Sequence, residues 1–195
     1  FKTLSSINDQ KLKYNFLIII VINNSNIDQI EIKNNNKKLY QKLALSSYKY
    51  ELVLLDCFSN KYAFIDEKSG VGWARKIGMD FCINFSNPNS LLCCIDADTI
   101  IDKNYFKIIF SEYKKNNFSA AVVNFSHQKT NNHTINKNIS KYEKILKYNA
   151  CELYKINSPY GYISMGSTMI CTMKGYIKVG GMITKKATED FYFLQ

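Results

Sequence analysis

Leu91-Leu92-Cys93-Cys94-Ile95-Asp96-Ala97-Asp98 is a run of five apolar residues that stops at two aspartates one residue apart. A continuous apolar stretch this short, bounded by polar residues, fits a strand buried on both faces. Side chains one residue apart share a face of extended backbone, so the run ends by carrying two carboxylates to the strand's carboxyl end with only the small Ala97 between them.

Working outward, the same pattern recurs three times. Phe16 to Ile22 is a β-branched run that breaks at Asn23, Asn24 and Ser25; Glu51 to Asp56 (ELVLLD) is a second run, and Ala120 to Phe125 closes the series. Between these lie helical periods: Leu39, Tyr40, Leu43 and Ala44; Ala74, Ile77, Gly78 and Phe81; Phe106, Ile109, Phe110 and Tyr113. Strands alternating with helices predict an α/β fold with a mostly parallel central sheet and helices on both faces. Ligands of such folds bind in the crevice outside the carboxyl ends of the strands. That places Asn23, Asn24, Asp56, Asp96 and Asp98 where chemistry is expected. Beyond the fourth strand, an Asn/Lys stretch reads as a mobile insertion. A helix is expected from about Ser140 to Ile156, and Tyr160 to Met182 is expected to return to the sheet.

At 195 residues the chain suits a single domain over 1–195. It opens on Phe1 and stops at Gln195 inside a helical pattern, so it reads as a piece of a longer protein. The formal net charge of +10 attracts phosphates of any kind and selects none, and much of it is Lys mixed with Asn and Ile, as on a solvated surface. The six cysteines show no CxxC pair and no metal-ligand spacing, which points to reduced core thiols. Phe16 to Ile22 is far shorter than the ~20 residues that span a bilayer, and no signal peptide is visible. A cytoplasmic protein is the expectation, with membrane association left open.

Three segments carry candidate chemistry. Asp96 and Asp98 suit a hard divalent cation, because Mg²⁺ and Mn²⁺ take oxygen ligands and Mg²⁺ is commonly held by one or two carboxylates plus substrate phosphates. A turn or helix cap uses the same residues. Glu189 and Asp190 stand against an aromatic run, where partial desolvation makes a carboxylate a better proton acceptor. Taken alone, the motif favours helix initiation with Thr188 as N-cap, a reading compatible with the first because a helix N-terminus is a rigid mount for a carboxylate. Gly70 to Gly78 (GVGWARKIG) is a Gly-rich approach to a helix carrying Arg75 and Lys76, able to present N–H groups and positive charge to a diphosphate, although it matches neither a Walker loop nor GxGxxG. Arg75 also fits a structural ion pair, Trp73 fits either core or a stacking surface, and His127 and His133 lack metal spacing.

Taken in order, LIIIVINN, ELVLLD, GVGWARKIG, CCIDADTIIDKNYF, GSTMICTMKGYIKVGGM and TEDFYFLQ resemble the successive motifs of family 2 glycosyltransferases of the GT-A fold, over nearly the whole chain. The resemblance implies a Rossmann-like GT-A domain that moves a sugar from a nucleotide diphosphate donor to an acceptor hydroxyl, as in cell-surface polysaccharide synthesis. Donor contacts fall to Asn23, Asn24, Asp56 (the base), Arg75 (ribose or diphosphate), Asp96, Ala97 and Asp98. Asp98 with Asp96 holds Mg²⁺ or Mn²⁺, Asp190 is the general base, Glu189 supports it or meets the acceptor, and Gly166 and Ser167 line the acceptor side. A UDP-sugar is the donor implied, with a glycan, a lipid-linked acceptor or another hydroxyl, no nucleic acid, and room for peripheral membrane association. The sequence departs from the family pattern in three places: Val21-Ile22-Asn23 stands where a Pro is usual, Lys76 where Asn is common, and Cys57 where a second acid is frequent. The competing readings are a sugar nucleotidyltransferase, whose Gly-rich, Arg- and Lys-bearing first loop is missing here, a basic nucleic-acid-binding module, and a catalytically dead carbohydrate-associated scaffold.

Overall fold

The computed structural model describes residues 1–11, 15–66, 69–185 and 188–195. The chain is mixed α/β. Its elements are α1 (Lys2–Asn8), β1 (Leu17–Asn23), α2 (Ile30–Ala44), β2 (Glu51–Cys57), α3 (Val71–Cys82), β3 (Leu91–Cys93), α4 (Tyr105–Asn116), β4 (Ala120–Val122), α5 (His133–Lys155), β5 (Met169–Thr172), α6 (Met173–Lys178) and α7 (Glu189–Phe193). The four apolar runs read from the sequence each contain a strand.

β1 and β2 pair in parallel along their full lengths, from Leu17 opposite Glu51 to Asn23 opposite Cys57, with α2 as the connection. β5 lies between β3 and β4 and is antiparallel to both, pairing Cys93 with Ile170 and Ala121 with Ile170. The segment expected to return to the sheet does so at its centre. Both faces of β5 are covered, and Met169, Ile170 and Cys171 are at most 2 % exposed. Among the described residues the ladders form these two separate sets, and not the one continuous, mostly parallel sheet that the alternation predicts. Side chains join the two sets: Ile19 of β1 packs against a core built from Met79 and Cys82 of α3, Leu92 of β3, Met169 and Cys171 of β5, and Tyr176 of α6. A smaller core of Ile22, Leu43 and Phe58 fills the space between α2 and the parallel pair.

α1 has no counterpart in the sequence reading. Thr3 Oγ1 donates to Ala97 O at 2.7 Å, Ile101 N donates to Ser6 Oγ at 3.2 Å, and Gln10 Nε2 donates to Asp102 O at 2.7 Å. These bonds satisfy backbone groups of a loop that has no ladder of its own. The helix thereby braces the stretch that carries Asp96 and Asp98.

α5 corrects the expected mobile insertion. The helix begins at His133, because Asn132 caps it by accepting from Ile135 N at 3.1 Å, and Asn136 ties Thr130 down on both sides of its peptide. None of its 23 residues is buried. No helix among the described residues is long and apolar enough to cross a membrane. The cysteines are free thiols, and burial pushes Cys94 up to about 11, which keeps it protonated.

Candidate functional site

Arg75 is the centre of the site. It lies on the second turn of α3, where the periodicity that buries Met79 turns it toward the carboxyl end of β3. Its Nη2 donates to Asp96 Oδ1 at 2.7 Å, and its Nη1 donates to Glu189 Oε1 at the start of α7. The guanidinium is 11 % exposed and the Glu189 side chain 4 %, whereas Asp96 keeps 41 %. Burial alone would lower the Arg75 pKa. The carboxylate of Asp96, followed by that of Glu189, outweighs it and raises the pKa, so the cation is permanent.

Two glycines make this approach possible. A Cβ on Gly166 would run into the Arg75 guanidinium, so a side chain there would force that group off its bonds to Asp96 and Glu189. A Cβ on Gly72 would fall 2.6 Å from the Lys185 carbonyl, so α3 likewise admits the backbone leading to α7 only through a missing side chain. Ser167 sits half-buried beside Gly166.

The Asp96–Asp98 turn is held from three sides. Thr99 N donates to Asp96 O at 3.0 Å, Thr3 bonds the Ala97 carbonyl, and Gln128 Nε2 donates to Asp98 O at 2.7 Å. These bonds fix the backbone and leave the Asp98 carboxylate exposed, with no ion pair among the described residues. Thr3 and Gln128 are positioning residues that the sequence did not reveal, because a polar side chain bonded to a distant carbonyl leaves no periodic trace. Among the described residues no group of three or more His, Cys, Asp or Glu side chains gathers. The chemistry of Asp96 and Asp98 nevertheless fits a hard cation that takes one or two protein carboxylates and completes its shell with phosphate and water. Arg75 occupies one Asp96 oxygen and leaves the rest of the pair facing outward.

Asp190 is half-buried on α7, its Oδ1 accepting from Phe191 N at 2.7 Å. Thr188 holds the expected N-cap position, with φ 64° and no side-chain capping bond, and the two acids occupy the first turn as that reading predicts. Asn23 shares a cavity of about 470 Å³ with Arg75, Asp96 and Ala97, whose apolar lining comes from β1, β3 and α3. Asn24 is 4 % exposed; its amide donates to Ser25 O and its oxygen accepts from Asn36, which commits the side chain to the loop. His127 bonds Glu143 at 2.8 Å and so joins the strand exit to α5, a structural contact.

Asp56 lies opposite Ile22, one residue before the end of the parallel pair, with its Oδ1 accepting from Phe58 N at 3.0 Å and Ser59 N at 2.9 Å. Burial would raise its pKa; the backbone bonds from Ser59 and Phe58 together prevail and lower it. A depressed carboxylate contributes stability that is present above its unfolded pKa and lost as pH falls through the folded value. Asp56→Ala should therefore cost about 1 kcal/mol at neutral pH, and the gap to wild type should close as pH falls below about 4. Urea midpoints at a series of pH values check this; a gap that persists unchanged at low pH contradicts it.

The structure thus brings Arg75, Asp96, Gly166 and Glu189 into direct contact, with Ala97, Asp98, Ser167 and Asp190 adjoining them on the same turns. Asp56 and Asn24 belong to the end of the β1–β2 pair. Comparison with protein-family models, with curated proteins and with solved structures finds no match to this chain.

Proposed function

We propose that this chain is the catalytic core of a metal-dependent, inverting glycosyltransferase of the family 2 type, its two strand sets corresponding to the central sheet of a GT-A domain. The observation that carries this reading is that Asp96 and Glu189, distant in sequence, share one buried arginine beside the strand ends. Mere helix capping or surface turns would not require two acidic segments to meet across the fold.

Asp98, with the free side of Asp96, is the holder of Mg²⁺ or Mn²⁺, which when bound would neutralise charge on a nucleotide diphosphate. Arg75 keeps Asp96 oriented and adds a fixed positive charge beside the leaving group. Glu189 is already bonded to Arg75 and almost out of water, so it orients the start of α7. Asp190, the more accessible acid, takes the proton. In the reaction the acceptor oxygen forms a bond to the anomeric carbon and its proton passes to Asp190. The bond from that carbon to the diphosphate oxygen breaks, and the electron pair leaves with the nucleotide. A UDP-sugar is the donor proposed, and a glycan or lipid-linked hydroxyl the acceptor.

The test is a thermal-shift series with nucleotide diphosphates and nucleotide sugars, with and without Mn²⁺. One donor should raise the melting temperature only when the cation is present, and Asp98→Asn should weaken that binding at least about tenfold. Binding that ignores Mn²⁺ and falls steeply with salt would instead mark a basic nucleic-acid-binding module.

A further inference from the structure

α1 joins the two strand sets without belonging to the core of either. Among the described residues neither core has an α1 side chain as a buried member, and only Leu4 packs on the rim of the smaller one. Thr3, Leu4 and Ile7 instead line the cavity of about 470 Å³ that is also lined by β1, β3, Arg75 and Asp96. What holds the helix is a series of hydrogen bonds, and they go to both strand sets. Thr3 and Ser6 on the helix, and Gln10 just past its end, follow at spacings of three and four residues and so share one side. They meet Ala97 O, Ile101 N and Asp102 O in the stretch after β3, and Gln10 Oε1 also accepts from Phe106 N at 3.3 Å. Toward β2, Tyr50 Oη donates to Leu4 O at 3.3 Å and Lys49 N donates to Asn8 Oδ1 at 3.2 Å.

Such an attachment gives way more easily than a packed core. α1 has 7 residues, well below the ~12–15 that sustain a helix in isolation, so it depends on being docked. Each of its hydrogen bonds contributes only about 1 kcal/mol, because water replaces the partner on release. We propose that α1 is a detachable clasp. Docked, it fastens the β1–β2 pair to the set of β3, β5 and β4 and keeps the Asp96–Asp98 turn ordered. Released, it leaves both sets folded, the turn loose and the cavity open on the side that α1 covers. This release is a sub-global opening, below the free energy of unfolding the whole chain. A ligand that requires an ordered turn binds the clasped form better and so draws α1 down. The clasp acts on the order of the turn whatever the turn holds, and it stands apart from the proposed sugar transfer.

The test is residue-resolved amide hydrogen exchange of the whole chain. The amides of Ile101 and Phe106, bonded to Ser6 and Gln10, should exchange together with that of Thr99, which bonds Asp96 O within the turn. All three should exchange at least about a hundredfold faster than the amide of Cys94, which bonds Met169 O beside the larger core. Ser6→Ala with Gln10→Ala should speed Thr99 at least about fivefold further and leave Cys94 unchanged. Tyr50→Phe is the sharper variant. It keeps the ring that packs on Phe16 and removes only the bond to Leu4 O, from the far strand set, yet it should still speed Thr99 at least about twofold. A helix that merely braced the neighbouring loop would carry nothing from Tyr50 to Thr99. Overturning results are one common rate for all four amides, a Thr99 rate indifferent to Tyr50→Phe, or an acceleration that Cys94 shares in full.

Discussion

Under the proposed sugar transfer, replacing Asp190 by Asn should lower the rate by about 10²- to 10⁴-fold while nucleotide binding stays at the wild-type level, the range that a lost general base accounts for. The substitution isolates the proton-accepting role because an asparagine keeps an oxygen where Asp190 Oδ1 receives the Phe191 N–H, so the first turn of α7 retains its bond. Glu189, next in the chain, cannot take over, since its carboxylate is committed to the Arg75 guanidinium and almost excluded from water. In the proposed mechanism donor binding falls to the turn of Asp96 and Asp98, on a different segment. Steady-state transfer assays beside a nucleotide titration measure the two effects separately. Transfer within about fivefold of wild type would falsify the assignment of Asp190 as base, since so small a loss lies below what general-base removal produces.

The second large effect concerns stability and needs no knowledge of the substrate. Arg75→Met leaves Glu189 buried without its counter-ion, a situation that costs about 3–5 kcal/mol, a large part of the total stability of an ordinary domain. Arg75→Lys should recover only part of it, because an ammonium cannot present the fork that reaches Asp96 and Glu189 together. Removing both charges of the buried pair, Arg75→Met with Glu189→Leu, should be far milder than Arg75→Met alone. A double-mutant cycle from urea unfolding reads the coupling. A loss under about 1 kcal/mol for Arg75→Met means that water reaches Glu189 and the pair is a surface one.

The parts of the fold visible in the sequence were those that leave a periodic or apolar trace. β1 and β2 lie where their runs predict, and α3 where Ala74, Ile77, Gly78 and Phe81 repeat. β3 and β4 stop short of their runs, at Cys93 and Val122, because their partner turns away at Gly166–Thr168; Cys94 and Val123 each keep one bond, to Met169 O and Thr168 O. α1 stayed hidden since the residues that dock it are Thr3, Ser6 and Gln10, whose contacts are hydrogen bonds to carbonyls and amides of another segment. The first turns of α5 looked like loop because Asn and Lys dominate them, and the cap by Asn132 is a single bond that composition does not display. For the candidate site, the rule that ligands gather at strand ends singled out Asp96 and Asp98, which follow β3 on the turn that meets Arg75. The pairing of Glu189 with Arg75, and the inward turn of Asn24, depend on how distant segments close on each other, which no local pattern records.

The contact between Gly166 and Arg75 has a bearing on how this chain can change over time. A side chain at 166 would displace the Arg75 guanidinium from the place where it meets Asp96 and Glu189, although 166 lies on the turn before β5 and 75 on α3. Lineages that keep the Arg75–Glu189 pair in place should therefore keep glycine at 166. A shorter residue at 75 frees 166 to vary, and with it the reason for burying an acid at 189 disappears.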